Sequence, residues 1–258
     1  MTVFSPQGPS ARELAVQALS SVEGGYDRLA PTFDHTPFRT HDRILAATAE
    51  ALGPLGPFGP GLDVCCGTGA GLPMLGSVCQ GPRTGVDFSA GMLAQARRAG
   101  PGPGSGPGPG PGPGVRWVRA DARALPFAAG FDLAVSFGAL GHFRPAERPA
   151  LFAGVYRALR PGGLFAFPLA APPPVGSRGY WARLGFDLAM RARNAVWRPP
   201  FVMYYRTCPL PAVGDDLAAA GFTVAMTPLS ALGQRADGSP RYGLVLARKP
   251  RVSPDRAS

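Results

Sequence analysis

The stretch LDVCCGTGAG, residues 62–71, decides the fold. Its apolar first half predicts a buried strand, which ends in closely spaced glycines that open a helix. Gly67 and Gly69 carry no Cβ, so the backbone of the turn can approach a bound ligand closely. Asp63 lies on the strand just before the turn, where its carboxylate can accept a hydrogen bond from an amino group near the loop. The pattern therefore predicts a ligand site at the carboxyl end of this strand.

The glycine spacing bears on which ligand the turn receives. A dinucleotide-binding turn of the form G-x-G-x-x-G needs its third glycine at position 72, which is Leu72 here. The glycines found instead are Gly67, Gly69 and Gly71. This spacing disfavours a nicotinamide-dependent oxidoreductase.

Outward from the turn, apolar strands alternate with helical segments along the chain. Nearly continuous apolar strands between helices indicate a parallel sheet that is covered on both faces. The last two strands can pair antiparallel at its edge. We therefore predict an α/β three-layer sandwich with a mostly parallel seven-stranded sheet and an antiparallel C-terminal edge strand. The predicted strands lie at residues 62–66, 84–88, 115–121, 131–140, 164–170, 222–228 and 241–249.

Two further acids end neighbouring strands. Asp87 follows the first glycines by about 20 residues, the place of a ribose-binding acid in nucleotide folds. Its two carboxylate oxygens match the two hydroxyls of a ribose. Asp121, at the end of the third strand, can accept from the exocyclic amine of an adenine, and the Ala122 amide can donate to a ring nitrogen. The three acids together predict a nucleoside site.

Five segments, in this order along residues 60–169, resemble the type 11 methyltransferases: LDVCCGTG, TGVDFSAGML, ADARALPF, FDLAVSFGALGHF and ALRPGGLFAF. These are Rossmann-like class I enzymes and include the ubiquinone/menaquinone biosynthesis methyltransferases. The resemblance implies a Rossmann-like fold and an enzyme that uses S-adenosylmethionine (SAM) as methyl donor. It also implies that Tyr26, in GGYDRLAPTFD, closes over the methionine end of SAM. The SAM-binding roles implied are those of Asp63, Gly67, Gly69, Asp87, Asp121 and Ala122.

Other side chains near the predicted site have two interpretations each. Phe88 packs either against adenine or within the core. Phe137 lies where the backbone can line the donor pocket. His142, just after the fourth strand, is the candidate general base, although a structural histidine is slightly favoured. Methyl transfer from a sulfonium is an in-line displacement that needs mainly positioning, so no catalytic residue is required.

The domain organisation follows from breaks in the pattern. Residues 1–58 form a helical lead-in or lid, 59–250 the SAM-binding domain, and 251–258 a disordered tail. Residues 100–114, rich in glycine and proline, predict a flexible loop, and residues 172–210 a cap insertion. The cap carries a helix near Tyr180–Val196, for which an amphipathic cap helix is favoured over a helix at a membrane surface. Its aromatics either wall an acceptor site or form the cap's own core: Tyr180, Trp181, Trp197, Tyr204 and Tyr205.

Composition narrows the possible partners. Apolar residues make up 45% of the 258-residue chain and the net charge is +10, with arginines spread along its length. This spread indicates compositional bias more than a nucleic-acid surface, so we expect a small-molecule acceptor. An RNA methyltransferase and a non-catalytic SAM-binding protein are the alternatives. No signal peptide, transmembrane run or zinc-ligand spacing is found, which predicts a cytoplasmic protein with reduced cysteines and no metal.

Overall fold

The computed structural model describes residues 7–10, 13, 22–100, 114–197 and 210–251. Outside these ranges lie most of residues 11–21, the Gly-Pro segment 101–113, Tyr204, Tyr205 and the tail 252–258.

The first five strands form a parallel sheet around β1. β1 (Gly61–Val64) is flanked by β2 (Arg83–Asp87) and β4 (Phe131–Val135), with Leu62 opposite Thr84 and Ala134. β3 (Val115–Arg119) pairs with β2, and β5 (Leu159–Ala170) pairs with β4. The carboxyl ends of β1 to β4 therefore meet at one edge of the sheet.

Two antiparallel pairings complete the sheet. β7 (Tyr242–Arg248) runs antiparallel to both β5 and β6 (Thr223–Pro228), which gives the order β3-β2-β1-β4-β5-β7-β6. The predicted seven-stranded, mostly parallel sheet is confirmed. One detail differs, because the antiparallel C-terminal strand lies one place in from the edge and β6 occupies the edge itself. A strand buried between two partners fits the apolar GLVLA sequence of β7 better than an edge position does.

Helices cover both faces of this sheet and make it a three-layer sandwich. α5 (Arg148–Ala158) and α7 (Leu210–Ala219) bury Phe152, Val155 and Leu217 against one face. α2 (Asp42–Leu52), α3 (Gly71–Val78) and α4 (Ala90–Ala99) bury Leu52, Leu75 and Leu93 against the other.

Local chemistry explains several of the helix starts. His41 caps α2, since its side chain accepts from the Arg43 amide at 3.2 Å, and this cap sets the start of the helix at Asp42. Ser89 caps α4 by accepting from the Met92 amide at 3.1 Å. Pro149 occupies the first turn of α5, where its missing N–H costs nothing.

Two helical segments lie outside these layers. α1 (Val22–Leu29) and the 3-10 helix Ala30–His35 precede α2 and pack against α4. α6 (Arg178–Trp197) follows β5 and matches the helix predicted near Tyr180–Val196. Within the described residues, no helix combines the length and apolarity needed to cross a bilayer.

Candidate functional site

A cavity of about 590 Å³ opens at the edge where β1 to β4 end. Its size is that of a small-molecule site, which typically spans about 300–1,000 Å³. Its lining combines polar groups with aromatic rings. The lining residues are Tyr26, Phe33, Phe38, Cys65, Gly67, Asp87, Phe88, Met92, Ala120, Asp121, Ala122, Arg123, Phe137, Gly138, Ala139, Gly141, His142, Phe143, Arg144 and Glu147.

The glycine turn meets the cavity through Gly67 and Cys65. Gly67 has φ +53°, and a Cβ built there would find only the Phe33 ring, at 4.0 Å. The space in front of Gly67 is therefore open to a ligand. Cys65 adopts φ +60°, a left-handed conformation that is rare for a residue with a side chain.

Gly69 is a glycine for another reason. Its φ is +88°, and a Cβ there would lie 2.7 Å from the Trp117 ring. The residue does not line the cavity. The close approach that Gly69 permits in this structure is that of the Trp117 ring, and its predicted approach to a ligand stays a prediction.

Asp87 is a buried acid at the end of β2, with 6% of its surface exposed. Its Oδ2 accepts from the Gly67 amide and its Oδ1 from the Ser89 amide, both at 2.9 Å. Burial raises the pKa of Asp87, although these amides lower it. The carboxylate thus has its orientation fixed and gains from any further hydrogen-bond donor that a ligand brings.

Asp121, at the end of β3, is held by an arginine. Arg123 donates to both of its carboxylate oxygens, from Nε at 3.0 Å and from Nη2 at 2.6 Å. The hydrogen bond from Arg123 lowers the pKa of Asp121, so the acid is charged at neutral pH. Arg123 also donates from Nη1 to Glu147 at 2.6 Å. The three side chains form one network on the cavity wall.

Asp63 lies beneath the glycine turn and does not line the cavity. Only 1% of it is exposed, and its Oδ1 has no hydrogen-bond partner among the described residues. Desolvation, followed by the nearby charge of Asp87, raises its pKa well above the ordinary value. A Cβ at Gly71 would lie 2.4 Å from the Asp63 carboxylate, so Gly71 leaves room for this acid.

Tyr26 reaches the cavity from α1 and meets His142 from the opposite wall. Its hydroxyl is 2.9 Å from His142 Nε2, and the two rings pack edge to face with centroids 5.6 Å apart. Burial lowers the pKa of His142 to about 4, so the imidazole is neutral at pH 7. Tyr26 also packs edge to face on Phe33 and Phe88. These rings form the aromatic part of the cavity.

Acidic side chains fasten the N-terminal segment 22–35 over this edge. Asp27 accepts from the Ser89 hydroxyl at 2.6 Å and from the Gly91 amide at 2.8 Å. Asp34 accepts from the Thr68 hydroxyl in the glycine turn at 2.6 Å. A Cβ at Gly91 would lie 2.9 Å from the backbone of Asp27, so the segment rests directly on the start of α4.

Comparison with known proteins gives relatives over most of the chain. A methyltransferase domain model matches residues 62–163. An uncharacterized methyltransferase from Synechocystis sp. is 30% identical over 175 residues, which are 67% of this chain and 70% of the relative. The chain belongs to the class I SAM-dependent methyltransferases. The chain described here is also 28% identical to a ubiquinone/menaquinone biosynthesis C-methyltransferase from Desulfotalea psychrophila. The match extends over 215 residues, which are 83% of this chain and 71% of the relative.

Solved structures share the fold of this methyltransferase. An O-methyltransferase family protein from Burkholderia thailandensis superposes with a TM-score of 0.66 at 16% identity, over 94% of this chain and 67% of that one. The complex of DhpI with SAM and HEP gives a TM-score of 0.61 at 18% identity, over 92% and 99% of the two chains.

The structure brings most of the predicted site residues of the methyltransferase together. Eight of them line the single cavity described above: Tyr26, Gly67, Asp87, Phe88, Asp121, Ala122, Phe137 and His142. Asp63 and Gly69 support the glycine turn from behind, and their predicted contact with SAM stays a prediction. Among the cap aromatics, Tyr180 and Trp181 do not line the cavity, and Trp181 is 59% exposed.

Several residues that line or border the cavity were not singled out from the sequence. Arg123 lies two residues after Asp121, and that spacing lets an arginine fold back onto the acid. Phe33 and Phe143 line the cavity and lie in the quoted segments GGYDRLAPTFD and FDLAVSFGALGHF, but nothing in those segments singled them out; Phe38 lies outside any motif. Asp27 follows Tyr26 directly. An acid next to a predicted lid tyrosine could have indicated a side chain that holds the lid on the domain by hydrogen bonds.

Proposed function

We propose that this methyltransferase transfers the methyl group of SAM to a small-molecule acceptor held in the aromatic part of its cavity. One observation carries the proposal. A single cavity joins acids and an open glycine turn, which suit a nucleoside, to a wall of aromatic rings, which suits an apolar acceptor.

The polar part fits the donor. Asp87, oriented by two amides and otherwise desolvated, accepts from the ribose hydroxyls. Gly67 leaves the adjoining space open. Asp121 and the Ala122 amide face the adenine edge, with Arg123 holding the carboxylate in its charged form. When bound, SAM supplies a methyl group that its own sulfonium charge already activates.

The aromatic part orients the acceptor and excludes water. Phe33, Phe38, Phe137 and Phe143 offer an apolar surface against which a planar or aliphatic acceptor packs. Excluding water at this wall protects the in-line approach of the acceptor lone pair. The buried Cys66 thiol suits a reducing compartment, and a cytoplasmic location is part of the proposal.

His142 acts in this proposal by positioning Tyr26. Its Nε2 is engaged by the Tyr26 hydroxyl, and with a pKa of about 4 it is a weak base at neutral pH. The pair joins the N-terminal segment to the end of β4. Tyr26 thereby closes the cavity on the side of the acceptor.

Calorimetry with SAM tests the donor site. Asp87→Asn is expected to weaken SAM binding at least about tenfold, because a charged acceptor of two hydrogen bonds is lost. Asp42→Asn is the matched control, since the Asp42 side chain is 78% exposed and does not line the cavity. Equal affinity in Asp87→Asn and the wild type would remove Asp87 from the donor site.

A transfer screen with methyl-labelled SAM tests the acceptor class. Cell extract is separated into lipid, RNA, protein and small polar pools, and each pool is incubated with the enzyme. Label in a lipid or small-molecule pool is expected. Label confined to RNA or protein would overturn the small-molecule assignment and leave the SAM site intact.

A further inference from the structure

Helix α6 has an unusual environment. It leaves the carboxyl end of β5, the same edge of the sheet at which the cavity opens, through residues 171–177. No other described helix or strand packs extensively along it. Within the described ranges, α6 therefore has little of its length packed against other helices or strands.

One face of α6 is apolar and exposed. Positions i, i+4, i+7, i+11 and i+15 from Trp181 fall on one side of a helix. Trp181 is 59% exposed, Leu188 56% and Val196 87%, and the remaining two positions carry exposed Gly185 and Ala192. Arg178 lies at the N-terminal end of this face, and Asp187 and Arg191 lie off it.

The covered side of α6 contains a charge. Asp187 is 2% exposed and accepts from Arg191 Nε at 2.8 Å, and Tyr180 is half-buried on the same side. The cap role favoured for this helix from the sequence stays a prediction, while Trp181 and Leu188 themselves are exposed.

We propose that this stripe of α6 docks on the surface of an anionic lipid bilayer. A tryptophan with aliphatic neighbours on an otherwise basic helix suits the boundary between headgroups and acyl chains. Arg178 is exposed at the N-terminal end of the stripe, Arg191 beside the stripe is 51% exposed although paired with Asp187, and the chain carries a net charge of +10. Anionic headgroups complement both features.

Charge also decides between a membrane and a second copy of the chain. α6 contains four arginines and one aspartate, so pairing two copies through this helix would place like charges near one another. A bilayer brings the opposite charge. Docking would turn the edge of the sheet that carries the cavity towards the lipid. Membrane docking is a property beyond the proposed methyl transfer to a small molecule.

Vesicle co-sedimentation of the full chain tests the proposal. Vesicles contain phosphatidylcholine and phosphatidylglycerol in equal parts, or phosphatidylcholine alone, at low salt. The wild type is expected to pellet with the mixed vesicles. Leu188→Glu is expected to weaken this binding about tenfold or more, because an apolar contact is replaced by a charge that anionic lipid repels.

Met226→Glu is the matched control. Met226 is 51% exposed on the edge strand β6, so the same charge is added to an exposed apolar position away from α6. This variant is expected to pellet within about twofold of the wild type, because its new charge lies away from the stripe. Its net charge equals that of Leu188→Glu, so a difference between the two variants reports on the stripe itself. Thermal unfolding at the same midpoint as the wild type shows that both variants are folded.

Three results would overturn the proposal. The first is a wild-type protein that stays in the supernatant with mixed vesicles. The second is a Leu188→Glu variant that pellets as well as Met226→Glu does. The third is a dimer, seen by light scattering, that Leu188→Glu alone dissociates. The last result assigns the stripe to a second copy of the chain.

Discussion

At the scale of single residues, Gly67 and Gly69 meet different demands within one turn. Both have positive φ, but Gly67 faces open space and Gly69 faces the Trp117 ring. Two residues earlier, Cys65 holds φ +60° despite its side chain. The ligand-facing turn therefore stores backbone strain at Cys65 and depends on core packing at Gly69.

Gly69→Ala is expected to lower the free energy of unfolding by about 2–4 kcal/mol, because a Cβ adds a clash to an unfavourable φ. Chemical denaturation provides the measurement. Gly238→Ala is the control, with φ +79° and no atom within 4 Å of its added Cβ. It should cost about 1 kcal/mol, the conformational part alone. Similar losses in both variants would argue against the Trp117 contact.

His142 gives a pH-dependent prediction. Its pKa is about 4 in the folded protein and 6.5 when exposed, so the unfolded chain binds more protons between these values. Above pH 6.5 His142 is neutral in the folded and the unfolded protein, so burying it does not lower the free energy of unfolding. As the pH falls from 6.5 towards 4, the unfolded chain takes up the proton first and the free energy of unfolding decreases. Over this pH range the free energy of unfolding of the wild type should fall by up to about 2–3 kcal/mol relative to that of His142→Gln.

Denaturation of both proteins at several pH values measures this difference. Because Asp63 and Asp87 titrate in both proteins, their contributions cancel in the comparison. A difference that stays constant from pH 7 to 4 would mean that His142 titrates like an exposed histidine.

At the scale of elements, polar contacts join the segment 22–35 to the domain beside its buried Leu29 and Ala30. Asp27 connects α1 to α4, Asp34 connects the 3-10 helix to the glycine turn, and Glu23 pairs with Arg119 of β3. Contacts of this kind exchange with water at little cost when they open. The segment is therefore built to stay closed without being part of the main core.

Asp27→Ala is expected to weaken SAM affinity about three- to tenfold in calorimetry, since the closed segment becomes less populated. The stability of the domain should change little. Asp42→Ala is the control, because Asp42 pairs with Arg39 on the exposed side of α2. Unaltered SAM affinity in Asp27→Ala would show that the segment does not gate the donor site.

At the scale of the whole molecule, an ion pair bridges two helices of one layer. Arg148 of α5 and Asp216 of α7 approach to 2.8 Å, with side chains 8% and 24% exposed. Arg148→Met should lower the free energy of unfolding by about 3 kcal/mol, because it leaves Asp216 largely buried and unpaired. Arg148→Met with Asp216→Leu should recover most of that loss in thermal or chemical unfolding.

The exposed pair Arg39–Asp42 provides the control for this ion pair. Breaking it with Arg39→Met should cost at most about 1 kcal/mol, because solvent screens an exposed pair. A double variant at Arg148 and Asp216 that is as unstable as Arg148→Met alone would show that packing, not charge, limits the α5–α7 contact.

The parts of the fold that the sequence predicted are those with a local signal. A few neighbouring residues are enough to recognise the apolar β1 strand followed by glycines. The same holds for the acids Asp87 and Asp121 at strand ends. The position of β7 between β5 and β6 depends on pairing across the sheet, which no local pattern encodes. The Arg123 network and the aromatic wall likewise join distant segments. The exposed face of α6 could not be predicted, because amphipathicity shows that a helix has an apolar side and not what covers it.

The place of β7 in the sheet also constrains how the protein is made. Synthesis proceeds from the N-terminus, so β6 leaves the ribosome before the strand that will hold it. Until β7 emerges, the open side of β5 and the whole of β6 present unpaired backbone amides and carbonyls to other nascent chains. Cells that express this protein at high levels should therefore need chaperone protection late in its translation, when the nucleoside-binding half has already been synthesised.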